Sequence, residues 1–102
     1  MMTLGRENCP VGTSLRQLLP GAVIDRVASQ DWHSATFSGQ HVSIRMLAKN
    51  RRIDAGVENF RKTLPDHDFN LRSCFMADIG VSNICQNGND VEIDIDALIL
   101  EE

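Results

Sequence analysis

The last quarter of the chain, Met76 to Glu102, is written as one β-hairpin, and its alternation fixes which side chains share a face. Phe75, Ala77, Ile79 and Val81 are spaced by two, as are Val91, Ile93, Ile95, Ala97 and Ile99. A period of two puts each set on one side of its strand. Asn87-Gly88 lies between the two runs, and both residue types tolerate positive φ. A two-residue turn at Asn87-Gly88 would set the first apolar row beside Asp94 and Asp96. A three-residue loop Gln86-Asn87-Gly88, with Gly88 as the left-handed residue of a G1 bulge, pairs odd positions with odd. Register follows the buried face. The expectation is therefore the three-residue loop, with Val81 opposite Ile93 and Ile79 opposite Ile95.

Upstream, Ser14-Leu15-Arg16-Gln17 has capping-box spacing and Pro20-Gly21 stops what it starts, which predicts a short helix over 14–19. Residues 22–29 and 32–37 are β-prone around a break at Ser29-Gln30-Asp31, readable as a bulge or a turn. Ser38-Gly39 then turns the chain into Val42, Ile44 and Met46. A two-residue loop there would set Ala35 opposite Val42 and His33 opposite Ile44. Asn50 is the expected N-cap of a helix over 51–64, with Ile53, Val57, Phe60 and Leu64 on one face and Pro65 at its end. Residues 66–72 connect it to the last hairpin.

The resulting expectation is an α+β fold in helix, hairpin, helix, hairpin order. Two hairpins form a two-layer, mostly antiparallel sheet packed by one main amphipathic helix. Residues 1–12 have no apolar periodicity and read as a flexible N-terminal tail, with a single domain over 13–102. The length of 102 residues suits one core and no more.

Composition narrows the function classes. At 42% hydrophobic and 24% charged, this is an ordinary globular balance. The net charge of −4 argues against a dedicated nucleic-acid binder. No apolar run approaches the roughly 20 residues that cross a bilayer, and Met1 to Pro10 lacks the apolar stretch of a secretory signal. Cys9, Cys74 and Cys85 are too scattered for a disulfide framework, which suits a reducing cytoplasm.

Four groups of residues are candidates for chemistry. Glu92, Asp94 and Asp96 line one strand face, but a strand spaces them about 6–7 Å apart with no loop to wrap a cation. A solvated row paired with Arg26 or Arg45 is the plainer reading. Arg45, Lys49, Arg51 and Arg52 gather near the expected helix start, where cations oppose the helix dipole. Such a cluster marks a candidate anion site. His33, His41 and His67 lack the spacing of a zinc site. His33 is expected on the buried face as a structural histidine. Asp66-His67-Asp68 and Cys9-Pro10 offer a base and a thiol, but nothing in sequence joins them. No catalytic residue, metal or cofactor is assigned.

The last group is apolar. Cys74, Met76, Leu98 and Leu100 fall on the acid-bearing face of the last hairpin, and Trp32 with Leu47 extends that patch from the first. Either the N-terminal helix or another chain must cover it. The leading expectation is a non-catalytic protein that works by protein–protein contact, with self-association through sheet faces or edges. The alternative is nucleic-acid or phosphate binding through the basic cluster at 45–52. A third class, an enzyme with a loop-built site, ranks below both.

Overall fold

The structure, a computed structural model, describes residues 11–69, 71 and 74–101. Helix α1 (Gly12–Leu18) precedes the hairpin β1 (Ala22–His33) and β2 (Ser38–Ala48). Helix α2 (Ala55–Thr63) runs into a 3-10 turn, Leu64–Asp66, and the hairpin β3 (Cys74–Asn87) and β4 (Asp90–Glu101) follows. The four strands form one antiparallel sheet in the order β1-β2-β4-β3, so the hairpins meet along a β2–β4 seam. The fold is α+β.

The alternation in β2 and β4 builds the core. Val42, Ile44, Met46 and Ala48 face inward from β2, beside Val91, Ile93, Ile95 and Ala97 from β4. Both helices pack on this same face. Leu15 and Leu19 at α1, and Val57, Phe60 and Leu64 at α2, belong to the one buried cluster. The expected single main helix is therefore corrected to two that share the cover. The expected tail over 1–12 lies outside the described residues up to Pro10. Val11 and Gly12 are buried and open α1, which has no side-chain cap at Ser14 or elsewhere.

Asp54, not Asn50, caps α2: its side chain accepts the Val57 N–H at 2.9 Å. Asn50 sits instead at φ 53°, in the left-handed region that asparagine tolerates, and turns the chain out of β2. The helix is thus four residues shorter at its start than 51–64, and Ile53 is left 42% exposed. Pro65 does not end helical structure at once. It occupies the first turn of the 3-10 segment, where its missing N–H costs nothing.

The turns and register differ from expectation in informative ways. The loop of the last hairpin is the two-residue Gly88-Asn89, flanked by the pair Asn87 and Asp90. Gly88 has φ 61° while Asn89 is not positive, the pattern of a turn with glycine in its first central position. Odd–odd pairing begins elsewhere, at a bulge between Val81 and Asn83, and a second bulge between Met76 and Asp78 ends it. Val81 pairs with Ile95, Ile79 with Ala97, and Ile84 with Ile93.

In the first hairpin the loop is Ser34 to Phe37, closed by the Ser34 N–H donating to the Phe37 carbonyl at 2.8 Å. Gly39 lies within β2, where a Cβ would overlap the Ile99 carbonyl. His33 pairs with Ser38 and is exposed, so it is not a core histidine. The break in β1 falls between Ile24 and Arg26, and pairing runs unbroken through Ser29-Gln30-Asp31.

One side chain ties the two halves together at the loop end. The Gln86 amide nitrogen donates to the carbonyls of Arg51, Gly88 and Asp90, each at 3.0 Å, and its oxygen accepts the Ile53 N–H at 3.0 Å. The Arg51 N–H donates to the Asn89 carbonyl at 2.7 Å beside it.

Candidate functional site

With both helices on one side, the other face of the sheet carries no helix among the described residues. Cross-strand pairing orders that open face into rows. At one end Trp32, Gly39, Leu100 and Phe75 stand side by side across β1, β2, β4 and β3. The next row is Gln30, His41, Leu98 and Asp78, and then come Ala28, Ser43, Asp96 and Gly80. Beyond these lies the charged row Arg26, Arg45, Asp94 and Asn83.

The apolar end is a small cluster of its own. Phe37 and Phe75 meet edge to face with ring centroids 6.2 Å apart, and they stay 47% and 36% exposed. Leu100 beside them is only 6% exposed yet stands outside the main core cluster. Exposed aromatic surface of this kind gains when another apolar surface covers it.

Of the five residues expected at an interface, Trp32, Leu98 and Leu100 lie on the open face together. Cys74 and Met76 do not. The bulge after Met76 reverses the phase of β3, so both pack against the core and Phe75 takes the outer position. Leu47 also lies on this face but at the far end from Trp32, paired with Val23 and Glu92. Phe37 and Phe75 are exposed apolar residues of this end that the sequence reading missed. Phe37 carries no periodic signal in its loop, and a one-residue bulge hides Phe75.

The charged row is internally satisfied in part. Arg45 Nε donates to Asp94 Oδ1 at 2.8 Å, and this bond holds the Asp94 carboxyl below the usual carboxylate range. The same bond raises Arg45 above its ordinary value. Ser43 donates to Asp96 at 3.1 Å, with His41 Nε2 3.8 Å from the same oxygen. The acidic row is thus tied to its neighbours, as the pairing reading of Glu92, Asp94 and Asp96 expects for Asp94. An open depression of about 320 Å³ lies over Arg26, Ser43, Arg45 and Asp94. The charges are uneven across the seam: Arg26 and Arg45 stand on the β1–β2 half, with Asp25 near enough to act on Arg45, and Asp78, Glu92, Asp94 and Asp96 stand on the β4–β3 half.

The basic cluster does not converge. Arg45 is mid-strand on the open face, whereas Lys49, Arg51 and Arg52 lie in and beside the loop after β2. Arg51 pairs with Asp54 at 3.4 Å, and the Val57 N–H holds that carboxylate's pKa low. The helix start expected to receive an anion therefore already has one, from its own chain. A shallow hollow of about 210 Å³ over Asn50, Arg51, Arg52 and Asn89 is what remains.

The dispersed candidates stay dispersed. His67 meets Phe69 edge to face with ring centroids 4.7 Å apart, and Cys9 lies outside the described residues. Among the described residues no three ligand-type side chains gather for a metal, and no helix is long and apolar enough to cross a membrane. Set beside known proteins, the chain matches no family model, no curated protein and no solved structure.

Proposed function

We propose that this is a non-catalytic protein that works by protein–protein contact, and that it self-associates through the open face of its sheet. The observation that carries this reading is the row of aromatic and leucine side chains left on a face that neither helix covers. Two exposed phenylalanines and a tryptophan on a domain of this size are an apolar patch rather than scattered residues. Phosphate or nucleic-acid binding is the weaker reading, because Arg45 and Arg51 already pair with Asp94 and Asp54.

Equilibrium sedimentation of the whole chain tests the proposal. The expected result is a concentration-dependent dimer that becomes monomeric in the Phe37→Ser/Phe75→Ser variant. These two positions are better probes than Leu98→Ser/Leu100→Ser, since Leu100 is already buried within its own chain. A wild-type chain that stays monomeric at every concentration overturns the reading.

A further inference from the structure

We propose that the open face pairs with the same face of a second copy about a two-fold axis parallel to the strands, lying over the β2–β4 seam. The inference rests on the contact reading above and adds the geometry of the pair. A face meets its own copy about a two-fold axis in the sheet plane, and aligned sheet packing leaves two directions for it, across the strands or along them. An axis across the strands sets every strand over itself. The arginine-bearing half would then meet the same half, the acidic half would meet acids, and the aromatic end would cover the end that holds Glu92.

An axis along the strands does the opposite. It lays β1–β2 over the partner's β4–β3 at the same level of the strands. Arg45 then faces the partner's Asp94, Trp32 faces the partner's Phe75, and Ala28 faces the partner's Gly80. Opposite charges meet, the aromatic ends meet, and small residues meet at the waist where the sheets approach. Both the charge pattern and the apolar pattern select this one axis.

The size of the face suits a pair. Four strands about 4.8 Å apart, with residues rising about 3.3 Å each, span roughly 19 by 40 Å. That is on the order of 750 Å², near the ~800 Å² each partner contributes to a standard interface. Twist turns stacked sheets by about 30°, so the central rows keep this register best and are the place to probe it.

The experiment is cross-linking with a short bis-maleimide in a chain whose cysteines are replaced by alanine or serine. Ala28→Cys and Gly80→Cys are both placed in the central row, and a Cβ at Gly80 meets nothing within 4 Å. The expected result is a cross-linked dimer from the mixture of the two variants and none from either alone. Cross-linking of Ala28→Cys to itself would assign the axis across the strands and overturn the inference while leaving self-association intact. A wild-type dimer that yields no cross-link in any combination would overturn it too, placing the contact on another surface.

Charge exchange gives a second measurement independent of the linker. Arg45→Asp and Asp94→Arg should each weaken their own dimer at least about tenfold, while their mixture restores pairing as a heterodimer. Equal weakening in the mixture overturns the arrangement. A wild-type monomer that begins to dimerise when residues 1–10 are removed would assign the face to that segment of its own chain, and would overturn the second copy as its occupant.

Discussion

Arg45 and Asp94 face each other across the seam between the two hairpins, with Nε donating to Oδ1 at 2.8 Å. Both side chains keep about a third of their surface in water, at 34% and 31% exposed. The pair sits beside a like-charge neighbour, since Arg26 is the cross-strand partner of Arg45. Asp94 offsets that repulsion from the other side. Screening by water and salt limits what such a pair contributes alone. Its more measurable consequence is a dependence on pH.

The Asp94 carboxyl is held low by Arg45, and the Asp54 carboxyl by the Val57 N–H. A depressed folded value means that the unfolded chain binds more protons in acid. The stability from both groups is present above the unfolded aspartate value of about 3.9 and is lost as pH falls from there through the lower folded values. The urea midpoint should therefore stay level from pH 7 to about 5 and drop below about 4. Asp94→Asn combined with Asp54→Asn should flatten that drop. Loss of stability already between pH 8 and 6 would place the linkage on other groups.

Gly88 supports a second prediction. Its φ of 61° lies where a β-branched residue is resisted, although a Cβ there would meet open space. Gly88→Val should lower stability by about 1 kcal/mol or more, through backbone strain alone. Gly88→Asn should cost less, because asparagine enters the left-handed region more readily. Equal midpoints for glycine and valine would show that the turn rearranges freely.

What could be read from the sequence, and what could not, follows one physical rule. Alternation is reliable where a strand is central and unbroken. In β4, Val91, Ile93, Ile95, Ala97 and Ile99 all face the core as their spacing requires. In β3 two bulges each advance the chain by one residue. Phe75 and Ile79 therefore share a parity but lie on opposite faces. A bulge leaves no mark in hydropathy, so the interface expectation exchanged Cys74 and Met76 for Phe75. Caps fail differently. Asn50 and Asp54 are both good cap residues, and only the tie from Gln86 to the loop shows that the chain must turn once more before the helix begins.

Phe60 is the anchor of α2. It is 1% exposed, and with Val57 and Leu64 it presents one face at three- and four-residue spacing to the sheet. Phe60→Ala should cost about 3–5 kcal/mol, from lost burial plus an unfilled cavity. Against a total stability of about 5–15 kcal/mol for a domain of this kind, that is a large share of the whole. Ile53→Ala, at a position 42% exposed on the turn before the helix, should change the midpoint little. Circular dichroism during thermal unfolding separates the two. A larger loss at Ile53 than at Phe60 would contradict the face assigned to α2.

The last prediction concerns Gln86, whose side chain bonds three carbonyls and one N–H from two separate loops. Replacing it with alanine removes those partners at once, and the Arg51 and Asp90 carbonyls would have to find water. Each group left unsatisfied costs about 1–3 kcal/mol if water cannot reach it, and less if it can. The loop after β2 is largely exposed. Gln86→Ala is therefore expected to cost toward the lower end of about 1–3 kcal/mol in global stability and to loosen the loop locally. Hydrogen exchange at the Ile53 amide reads the local effect directly, because that N–H has the Gln86 oxygen as its acceptor at 3.0 Å. The Ile53 amide should exchange much faster in Gln86→Ala, while the Val57 amide, held by Asp54, should not. Gln86→Glu should speed it less, since a carboxylate still accepts the Ile53 N–H but repels the three carbonyls. Unchanged Ile53 exchange in Gln86→Ala would mean that the loop is held by the Arg51–Asn89 backbone bond alone.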